Sequence, residues 1–575
     1  MWAGSLVHRL TSPRFILPAF VVLFTLLNVT SYTRMSATWD EPQHLADGYA
    51  ALVARDFRVE PEHPPLVRLW AALPLLFMRS GALDTTAIDA VTPTEWVTRP
   101  LFTFSHRLLY VDGDADRQLY AARFMILLLG LVLGALVFFW AREWVGPGPA
   151  IAALAAYAFE PNIAAHASLV TTDLGVTCFV FAAVYSLWRL CRNPTRMNAA
   201  AFILLFVAAQ LTKFSAMLLG PIVVVLLGIA VIETGTIRAR TAAWIVLAAA
   251  LATVAGAWLA YDLRYAPSGT PAWLYRFQDD PVVRQRLPTL AAIVGWIDSH
   301  RLLPNAFSQG FLLGQAKAQS REAFLAGHYS TTGWWYYFPL AFLIKTPIPL
   351  VVLSVAGIAV CVVRRASLGA TNAAFVVVPV VAFMTMAVVT PLNIGLRHLL
   401  PIYPFCILLA AAATSVLSSS GRGRVVLVAA AAVWALEVGR VYPHNLAFFN
   451  QLIGGPANGH RYLADSNLDW GQDLKGLKRW MSERGVDQVG LAYFGTADPA
   501  YYGIRYTPLP DTGLFAGGPI VPPRLPGWLA VSATILSGAY GDDRSRTFYR
   551  PLRDRQPSTT IGYSIHLYWV ERPWW

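Results

Sequence analysis

Long apolar stretches alternate with short charged segments along most of the chain. A helix that crosses a bilayer needs about 20 mostly apolar residues. Runs of this kind lie near residues 15–32, 119–140, 149–166, 170–188, 241–261, 337–363, 371–390, 399–417 and 425–440. The pattern therefore predicts a polytopic α-helical membrane protein.

One further apolar run, 198–232, is too long for a single span. As one helix it would be about 52 Å long, and it would place Lys213 in the middle of the bilayer. Two short helices that turn at Lys213 avoid this cost. Arginines precede the run at Arg192 and follow it at Arg238, and an even number of crossings keeps both on one side of the membrane. The expected total is then about 11 transmembrane helices.

The charges of the short loops predict the orientation. Arginine-rich segments around 9–14, 142, 189–196, 238–240, 364–365 and 422–424 alternate with segments that carry few cations. By the positive-inside rule the N-terminus is cytoplasmic. We therefore expect a multi-pass protein of the cell inner (plasma) membrane, with long extracytoplasmic segments at 33–118, 262–336 and 441–575.

The first and last of these segments differ in pattern. Within 33–118, apolar residues at helical spacing predict two helices in the membrane interface, over 41–52 and 66–77. The tail predicts a helix from 466 to 481 and strands at 488–494 and 527–535. We therefore divide the chain into a transmembrane domain, 1–440, and a small extracytoplasmic α/β C-terminal domain, 441–575.

Composition narrows the function classes. With 56% hydrophobic and 14% charged residues among 575, a single soluble domain is excluded. The net charge of +12, from 45 basic and 33 acidic residues, comes from bases scattered singly between apolar runs, which favours topology determinants over a nucleic-acid partner. The four cysteines lie in or beside apolar runs, so neither a disulfide framework nor a CxxC metal site is predicted.

Three acidic residues lie beside apolar runs, where they could take part in catalysis at the membrane surface. Asp40 and Glu41 follow the first apolar run, and a carboxylate pair beside the bilayer suits general-base catalysis. A solvated loop start is the alternative. Asp173 begins a later span, where an ionisable side chain is costly unless it faces a cavity. Its alternative is a helix N-cap.

The segment Glu62-His63-Pro64-Pro65 is held stiff by its two prolines. His63 could contact a phosphate, and Glu62 with His63 could contribute to a metal site. Two ligands are too few for a structural zinc site, so we assign no metal and keep this pair as a weak candidate. An incidental polar pair at a helix start is the alternative.

Three basic side chains fall on the expected outer side, against the positive-inside bias. They are Lys213 at a hairpin tip, Lys345 within an apolar run, and Arg397 at the start of a span. Binding a lipid phosphate would explain them, and the guanidinium fork of Arg397 fits phosphate oxygens best. The alternative is that they extend towards lipid headgroups.

Four ordered elements resemble a known superfamily. Trp39-Asp40-Glu41, the stretch His63-Pro64-Pro65-Leu66, Asp173, and the run Gly395-Leu396-Arg397-His398-Leu399-Leu400-Pro401 are similar to GT-C glycosyltransferases. The similarity is to the protein O-mannosyltransferase superfamily, with the lipid A aminoarabinose transferases as relatives, and it spans roughly 15–440. The tail stretch 464–474 resembles that of bacterial carrier-lipid-dependent glycosyltransferases.

The resemblance implies a sugar donor linked to a polyprenyl monophosphate, and no cofactor. It implies that Asp40 is the catalytic carboxylate, supported by Glu41, with Asp173 as a second acid. Arg397 would hold the carrier phosphate, helped by His63 or Lys213.

Two departures from the pattern put a protein Ser/Thr acceptor in doubt. Val67-Arg68 stands after Leu66, where the mannosyltransferases usually have a lysine, and the loop 262–336 is too short for their β-trefoil insertion.

We therefore predict an inverting, metal-independent glycosyltransferase that moves a sugar from a polyprenyl-phosphate carrier to an extracytoplasmic glycolipid, glycan or protein acceptor. Its partners would be membrane lipids, the donor and that acceptor. The main alternative is a transporter or flippase of a lipid-linked sugar, although no repeat relates the two halves of the chain, as is common in transporters. A non-catalytic assembly protein is the third possibility.

Overall fold

The computed structural model describes residues 12–574 except for 79–82, 85, 90, 91, 93, 95–98, 320 and 511–523. In the first half of the chain the helices are α1 Pro13–Tyr32, α2 Glu41–Ala54, α3 Leu66–Ala72, α4 Thr86–Asp89, α5 Arg99–His106, α6 Ala115–Val145, α7 Pro147–Ala158, α8 Pro161–His166, α9 Thr172–Arg192, α10 Arg196–Gln210, α11 Leu219–Thr234 and α12 Ala239–Ala260.

In the second half they are α13 Pro281–Arg286, α14 Pro288–Ser299, α15 Asn305–Ala318, α16 Tyr337–Lys345, α17 Ile348–Val363, α18 Arg365–Leu368, α19 Ala370–Val389, α20 Tyr403–Leu417, α21 Gly421–Gly439, α22 Leu474–Arg484, α23 Ala533–Ser537 and α24 Asp543–Arg553. Short 3-10 turns precede α11 (Phe214–Leu218) and α20 (Leu396–Ile402), and another lies at Asp465–Asn467.

Seven helical segments of the described residues are long and apolar enough to cross a membrane. They are α1, α6, α9, α12, α19, and α11 and α20 each extended by its 3-10 turn. The prediction of a polytopic α-helical membrane protein is confirmed.

Four of the 11 expected spans differ from a full-length apolar helix. The 149–166 run is divided between α7 and α8, and α10 has 15 residues. Helices α16 and α17 meet at a bend of 116°. Helix α21 carries Arg422, Arg424 and Glu437. The predicted turn at Lys213 is present, because this residue has an extended backbone between α10 and the next 3-10 turn.

Two spans lie at the centre of the bundle. The apolar windows of α9 and of the segment Leu396–Leu417 are 89% and 83% buried, against 22–56% for the other five. These central spans carry Asp173 and Arg397 at their first turns. Charged side chains at those positions are therefore enclosed by protein and not by lipid.

The predicted interfacial helices are also found. Helix α2 covers the first of them, and α3 with the 3-10 turn Leu73–Phe77 covers the second. Gly48 is required where these two helices cross, because a Cβ there would lie 2.2 Å from the carbonyl oxygen of Arg68.

Strands β1 Ala323–Leu325 and β2 His328–Ser330 form a separate hairpin. The C-terminal region contains five strands, β3 Val489–Ala492, β4 Tyr506–Pro508, β5 Gly527–Ser532, β6 Thr559–Ile561 and β7 Ile565–Val570. They form one sheet of order β4-β3-β5-β7-β6. Strand β3 is parallel to β4 and β5, and β7 is antiparallel to β5 and β6. The predicted small α/β region is confirmed, although its first helix begins at Leu474 and not at 466.

Candidate active site

Four charged side chains from distant parts of the sequence meet at one end of the bundle. Arg397 Nη1 donates a hydrogen bond of 2.7 Å to Asp40 Oδ2 and lies 3.7 Å from Asp173 Oδ2. Lys213 Nζ donates to Asp173 Oδ1 at 2.6 Å. We call Asp40, Asp173, Lys213 and Arg397 the charged cluster.

Local structure leaves the Asp40 carboxylate available. Asp40 occupies the N-cap position of α2, yet its side chain does not cap the helix. The side chain is 27% exposed, whereas that of Asp173 is 2% exposed. Of the two acids in the cluster, Asp40 is therefore the one that a solvent-borne molecule can reach.

Arg397 makes the largest contribution to keeping Asp40 ionised. Burial raises the pKa of the Asp40 carboxyl, but the Arg397 guanidinium, together with His44 and Arg321, holds that pKa below its ordinary value. Asp40 is therefore an anion at neutral pH and can accept a proton.

Asp173 and Lys213 form a buried ion pair beneath this contact. Asp173 lies in the first turn of α9, and Thr171, not Asp173, occupies the N-cap position. The N-cap alternative for Asp173 is thus wrong, and its carboxylate is directed towards the two cations. The cluster contains two acids and two bases, so its formal charge is zero and both of its cations are already paired with carboxylates.

The tail holds Arg397 in place. The ring of Trp470 lies 4.1 Å from the Arg397 guanidinium carbon, and Trp470 is 1% exposed. Asn467 Oδ1 accepts a 2.9 Å hydrogen bond from the backbone N–H of Leu396. A Cβ on Gly395 would lie 2.2 Å from Ser466 Oγ, so the tail can approach this closely only at glycine.

The same tail segment also holds the loop that carries Asp40. The carbonyl of Trp470 accepts from Trp39 N at 2.9 Å, and that of Gln472 accepts from Ser36 N at 2.8 Å. Asp469 joins this segment to α23, which follows β5, by accepting from Thr534 N at 2.9 Å, and burial raises the pKa of Asp469 to about 7. The C-terminal region thus fixes both partners of the Asp40–Arg397 pair.

One donor of Arg397 remains unused. Its Nε atom is buried without a hydrogen-bond partner among the described residues. Arg397 also lines a small cavity together with His166, Lys345 and Ser466. An unsatisfied guanidinium N–H beside a cavity is suited to an anionic ligand.

Glu41 is not arranged as the catalytic partner of Asp40 that the sequence suggested. It is fully buried, and its oxygens accept from Arg123 Nε at 2.8 Å, Arg123 Nη2 at 2.6 Å and the N–H groups of Thr38 and Val170. Burial raises the pKa of Glu41, but Arg123 together with the N–H groups of Thr38 and Val170 holds it below the ordinary value. Glu41 therefore anchors the start of α2 through contacts inside the protein.

Lys345 is also enclosed, because it is 2% exposed and does not extend to a lipid headgroup. Its Nζ donates to the carbonyl of Leu446 at 3.0 Å and to that of Asn467, and it lies 4.6 Å from the Phe449 ring. It lines the cavity beside Arg397 but makes no ion pair with Asp40 or Asp173 among the described contacts. Its position fits a role in holding the tail.

Glu62 and His63, the weak metal candidate of the sequence, contact different partners. Glu62 pairs with Lys317, while His63 Nδ1 lies 3.3 Å from a carboxylate oxygen of Glu60. Sequence spacing missed this arrangement, since His63 contacts the residue three positions before it and not its neighbour.

Comparisons with known proteins agree with the resemblance carried by the motifs. Residues 113–259 match the family model described as dolichyl-phosphate-mannose-protein mannosyltransferase. This region includes α9 and Lys213, which contribute half of the charged cluster. No curated protein sequence matches the chain.

Three solved structures are similar at low identity. ArnT from Cupriavidus metallidurans bound to undecaprenyl phosphate is 13% identical, with 97% of this chain and 98% of that chain covered and a TM-score of 0.48. The apo form of the same protein is 13% identical, with 96% of each chain covered and a TM-score of 0.34. The apo Archaeoglobus fulgidus oligosaccharyltransferase is 11% identical, with 97% of this chain and 74% of that chain covered and a TM-score of 0.43.

The name of the matched family combines dolichyl-phosphate-mannose with protein mannosyltransferase. The match ends at residue 259, so it includes neither Arg397 nor the tail. The match agrees with the resemblance to the protein O-mannosyltransferase superfamily over residues 113–259, which include Asp173 but not the other three motif elements.

Proposed function

We propose that the protein is an inverting glycosyltransferase that moves a sugar from a polyprenyl monophosphate to an extracytoplasmic acceptor. The observation that carries this proposal is the charged cluster, which holds a reachable carboxylate, Asp40, within 2.7 Å of a guanidinium that has an unused donor. Transfer from a lipid phosphate needs both a base and a cation at one place.

The reaction divides naturally between these groups. The acceptor hydroxyl gives its proton to Asp40, and its oxygen forms a bond to the anomeric carbon of the donor sugar. The bond from that carbon to the phosphate oxygen breaks at the same time, and its electron pair leaves with the polyprenyl phosphate. Arg397 and Lys213 stabilise the negative charge that develops on this phosphate.

Because Asp40 and Arg397 are paired before the donor binds, donor binding should also change the basicity of Asp40. A phosphate that binds Arg397 competes with the Asp40 carboxylate for the same guanidinium. Once that hydrogen bond is weakened, the pKa of Asp40 rises and the carboxylate becomes a stronger base. Donor binding therefore both places the sugar and activates Asp40.

The proposed location follows from the loop charges and the position of the cluster. Asp40 and the tail lie on the same side of the bundle, where Ser36 donates from its N–H to the Gln472 carbonyl and from its hydroxyl to the Gly471 carbonyl. With a cytoplasmic N-terminus, α1 carries Asp40 to the opposite face. The reaction would then occur at the extracytoplasmic surface of the plasma membrane.

The test uses the purified full chain in nanodiscs with a polyprenyl-phosphate donor that carries a labelled hexose or pentose. An envelope extract from a deletion strain serves as the acceptor source. We expect label in an acceptor and stoichiometric release of polyprenyl phosphate. Translocation of intact donor without bond cleavage would favour the flippase alternative and overturn this proposal.

A matched control separates chemistry from general electrostatics. Asp262 pairs with Arg55 at 3.1 Å outside the charged cluster, so Asp262→Asn removes a comparable carboxylate from another ion pair. We expect Asp262→Asn to transfer sugar at the wild-type rate, while Asp40→Asn does not.

A further inference from the structure

A second group of polar side chains lies beside the charged cluster and is not used by the proposed reaction. His44, Glu60 and His63 bring one potential metal-ligand atom each to within 4.8 Å of one another. His44 lies one turn after Asp40 on α2, where its N–H donates to the Asp40 carbonyl at 3.0 Å. Glu60 and His63 come from the segment between α2 and α3.

The distances within this group fit a single small cation. Ligand atoms about 2.1 Å from a tetrahedral zinc ion lie roughly 3.4 Å from each other. The Glu60 carboxylate lies 3.3 Å from His44 Nδ1 and 3.3 Å from His63 Nδ1. Both separations lie at the long end for a hydrogen bond, which His63 makes to Glu60, and both match those of two ligands that share an ion. The candidate ring nitrogens of His44 and His63 lie within 4.8 Å of each other.

An unsatisfied buried atom points to the same place. His44 is 5% exposed, and its Nδ1 has no hydrogen-bond partner of acceptable geometry among the described residues, although it faces Glu60. A buried imidazole nitrogen without a partner is costly. A bound cation would satisfy it.

The surroundings resemble the outer shell of a metal site. Glu60 Oε2 accepts from Arg68 Nη1 at 2.7 Å, and Arg68 also pairs with Asp47 at 2.8 Å. Such hydrogen bonds orient ligating carboxylates. With neutral imidazoles, Asp47, Glu60 and Arg68 sum to a charge of −1, which a divalent cation changes to +1.

We propose that His44, Glu60 and His63 form a binding site for a divalent transition-metal ion, with zinc as the best-matched ion. Two imidazoles and one carboxylate, with a position left for water, are a ligand set typical of zinc. The ion holds the first turns of α2 against the Pro64–Pro65 turn. It therefore supports the position of Asp40 and takes no part in bond cleavage.

This site also gives His63 a definite tautomer. Coordination through Nδ1 fixes the proton on Nε2, so the ring presents an N–H donor on its other side. His63 is 23% exposed, which gives the ion a route of entry that the buried His44 does not offer.

The experiment uses the purified full chain in nanodiscs, stripped with chelator, desalted and titrated with Co²⁺, followed by displacement with Zn²⁺. The readouts are visible cobalt absorption and metal content by mass spectrometry. We expect about one equivalent of ion per chain. His44→Ala and His63→Ala should each weaken binding by at least about tenfold.

Two controls make the result interpretable. His328 is exposed on β2, so His328→Ala should bind the ion as the wild type does. His44→Gln, measured with a thermal melt, shows whether loss of metal occurs in a folded chain. Failure of the wild type to bind either ion, or equal binding by both His→Ala variants, would overturn the site.

Failure of this proposal is distinguishable from failure of the proposed function. Asp40→Asn should abolish transfer yet retain the ion, because Asp40 is not a ligand. A chain that binds the ion at His44 but never transfers sugar would overturn the proposed function alone.

Discussion

Removing the Arg397 guanidinium should change the pH dependence of sugar transfer as well as its rate. Arg397 donates to Asp40 at 2.7 Å and keeps the pKa of that carboxyl below its ordinary value. An opposite charge at this distance typically lowers a carboxyl pKa by about 1–3 units. In Arg397→Ala the raising effect of burial remains, and the largest of the lowering effects on the pKa of Asp40 is lost.

The loss of Arg397 should affect the acidic limb of the pH profile, where Asp40 becomes protonated. A base whose pKa lies below its ordinary value stays deprotonated as the pH falls, so Asp40 should leave wild-type kcat/KM flat through the acidic part of the assay range. In Arg397→Ala the acidic limb should move to higher pH. The variant should also lose about 10²–10³-fold in kcat, because a preorganised donor to the departing phosphate is gone.

The assay is kcat/KM for labelled donor from pH 4.5 to 8.5, with donor binding measured separately. Arg397→Lys should recover part of the rate, because it restores charge but not the bidentate fork. Arg276→Ala serves as control, since Arg276 pairs with Asp279 at 2.8 Å on the surface. An unshifted acidic limb in Arg397→Ala, with a rate within about twofold of wild type, would refute the reasoning.

Three further outcomes are expected. Trp470→Leu should reduce kcat/KM by about tenfold, because the buried cation–π contact with Arg397 is lost. Trp470→Phe should recover part of this loss, and unchanged kinetics in Trp470→Leu would contradict the role of Trp470. Glu41→Gln should lower the free energy of unfolding by about 3–5 kcal/mol, because it leaves the buried Arg123 without its ion-pair partner. A melting temperature equal to that of the wild type would contradict the anchor role of Glu41. Reporter fusions at residues 195 and 239 should be cytoplasmic and at residue 460 extracytoplasmic, and a cytoplasmic signal at 460 would contradict the proposed location.

Much of the helical framework was predictable, because an apolar run in lipid must satisfy its own backbone hydrogen bonds and therefore forms a helix. The turn at Lys213 followed from helix length and charge alone. The broken pair α16–α17 was not predicted, since Pro347 lies within a continuous apolar stretch and composition does not reveal a bend.

The members of the charged cluster were predictable singly, but their pairing was not. Asp40 and Arg397 are 357 positions apart, and no local pattern reports a contact at that separation. The support from the tail was missed for a similar reason: the tail motif was evident, yet the stacking of Trp470 on Arg397 depends on how the chain returns to the bundle. Arg123 could have been noticed, because a charged residue within a predicted span is costly without a partner.

The central claim is that Asp40 is the base for transfer from a lipid phosphate, and Asp40→Asn tests it most directly. The substitution keeps size and removes the proton acceptor, so transfer of labelled sugar in nanodiscs should fall by about 10²–10⁴-fold. Thermal stability should stay close to wild type, and donor affinity should be equal or higher because Arg397 is released from its partner. Transfer by folded Asp40→Asn at the wild-type rate would contradict the account.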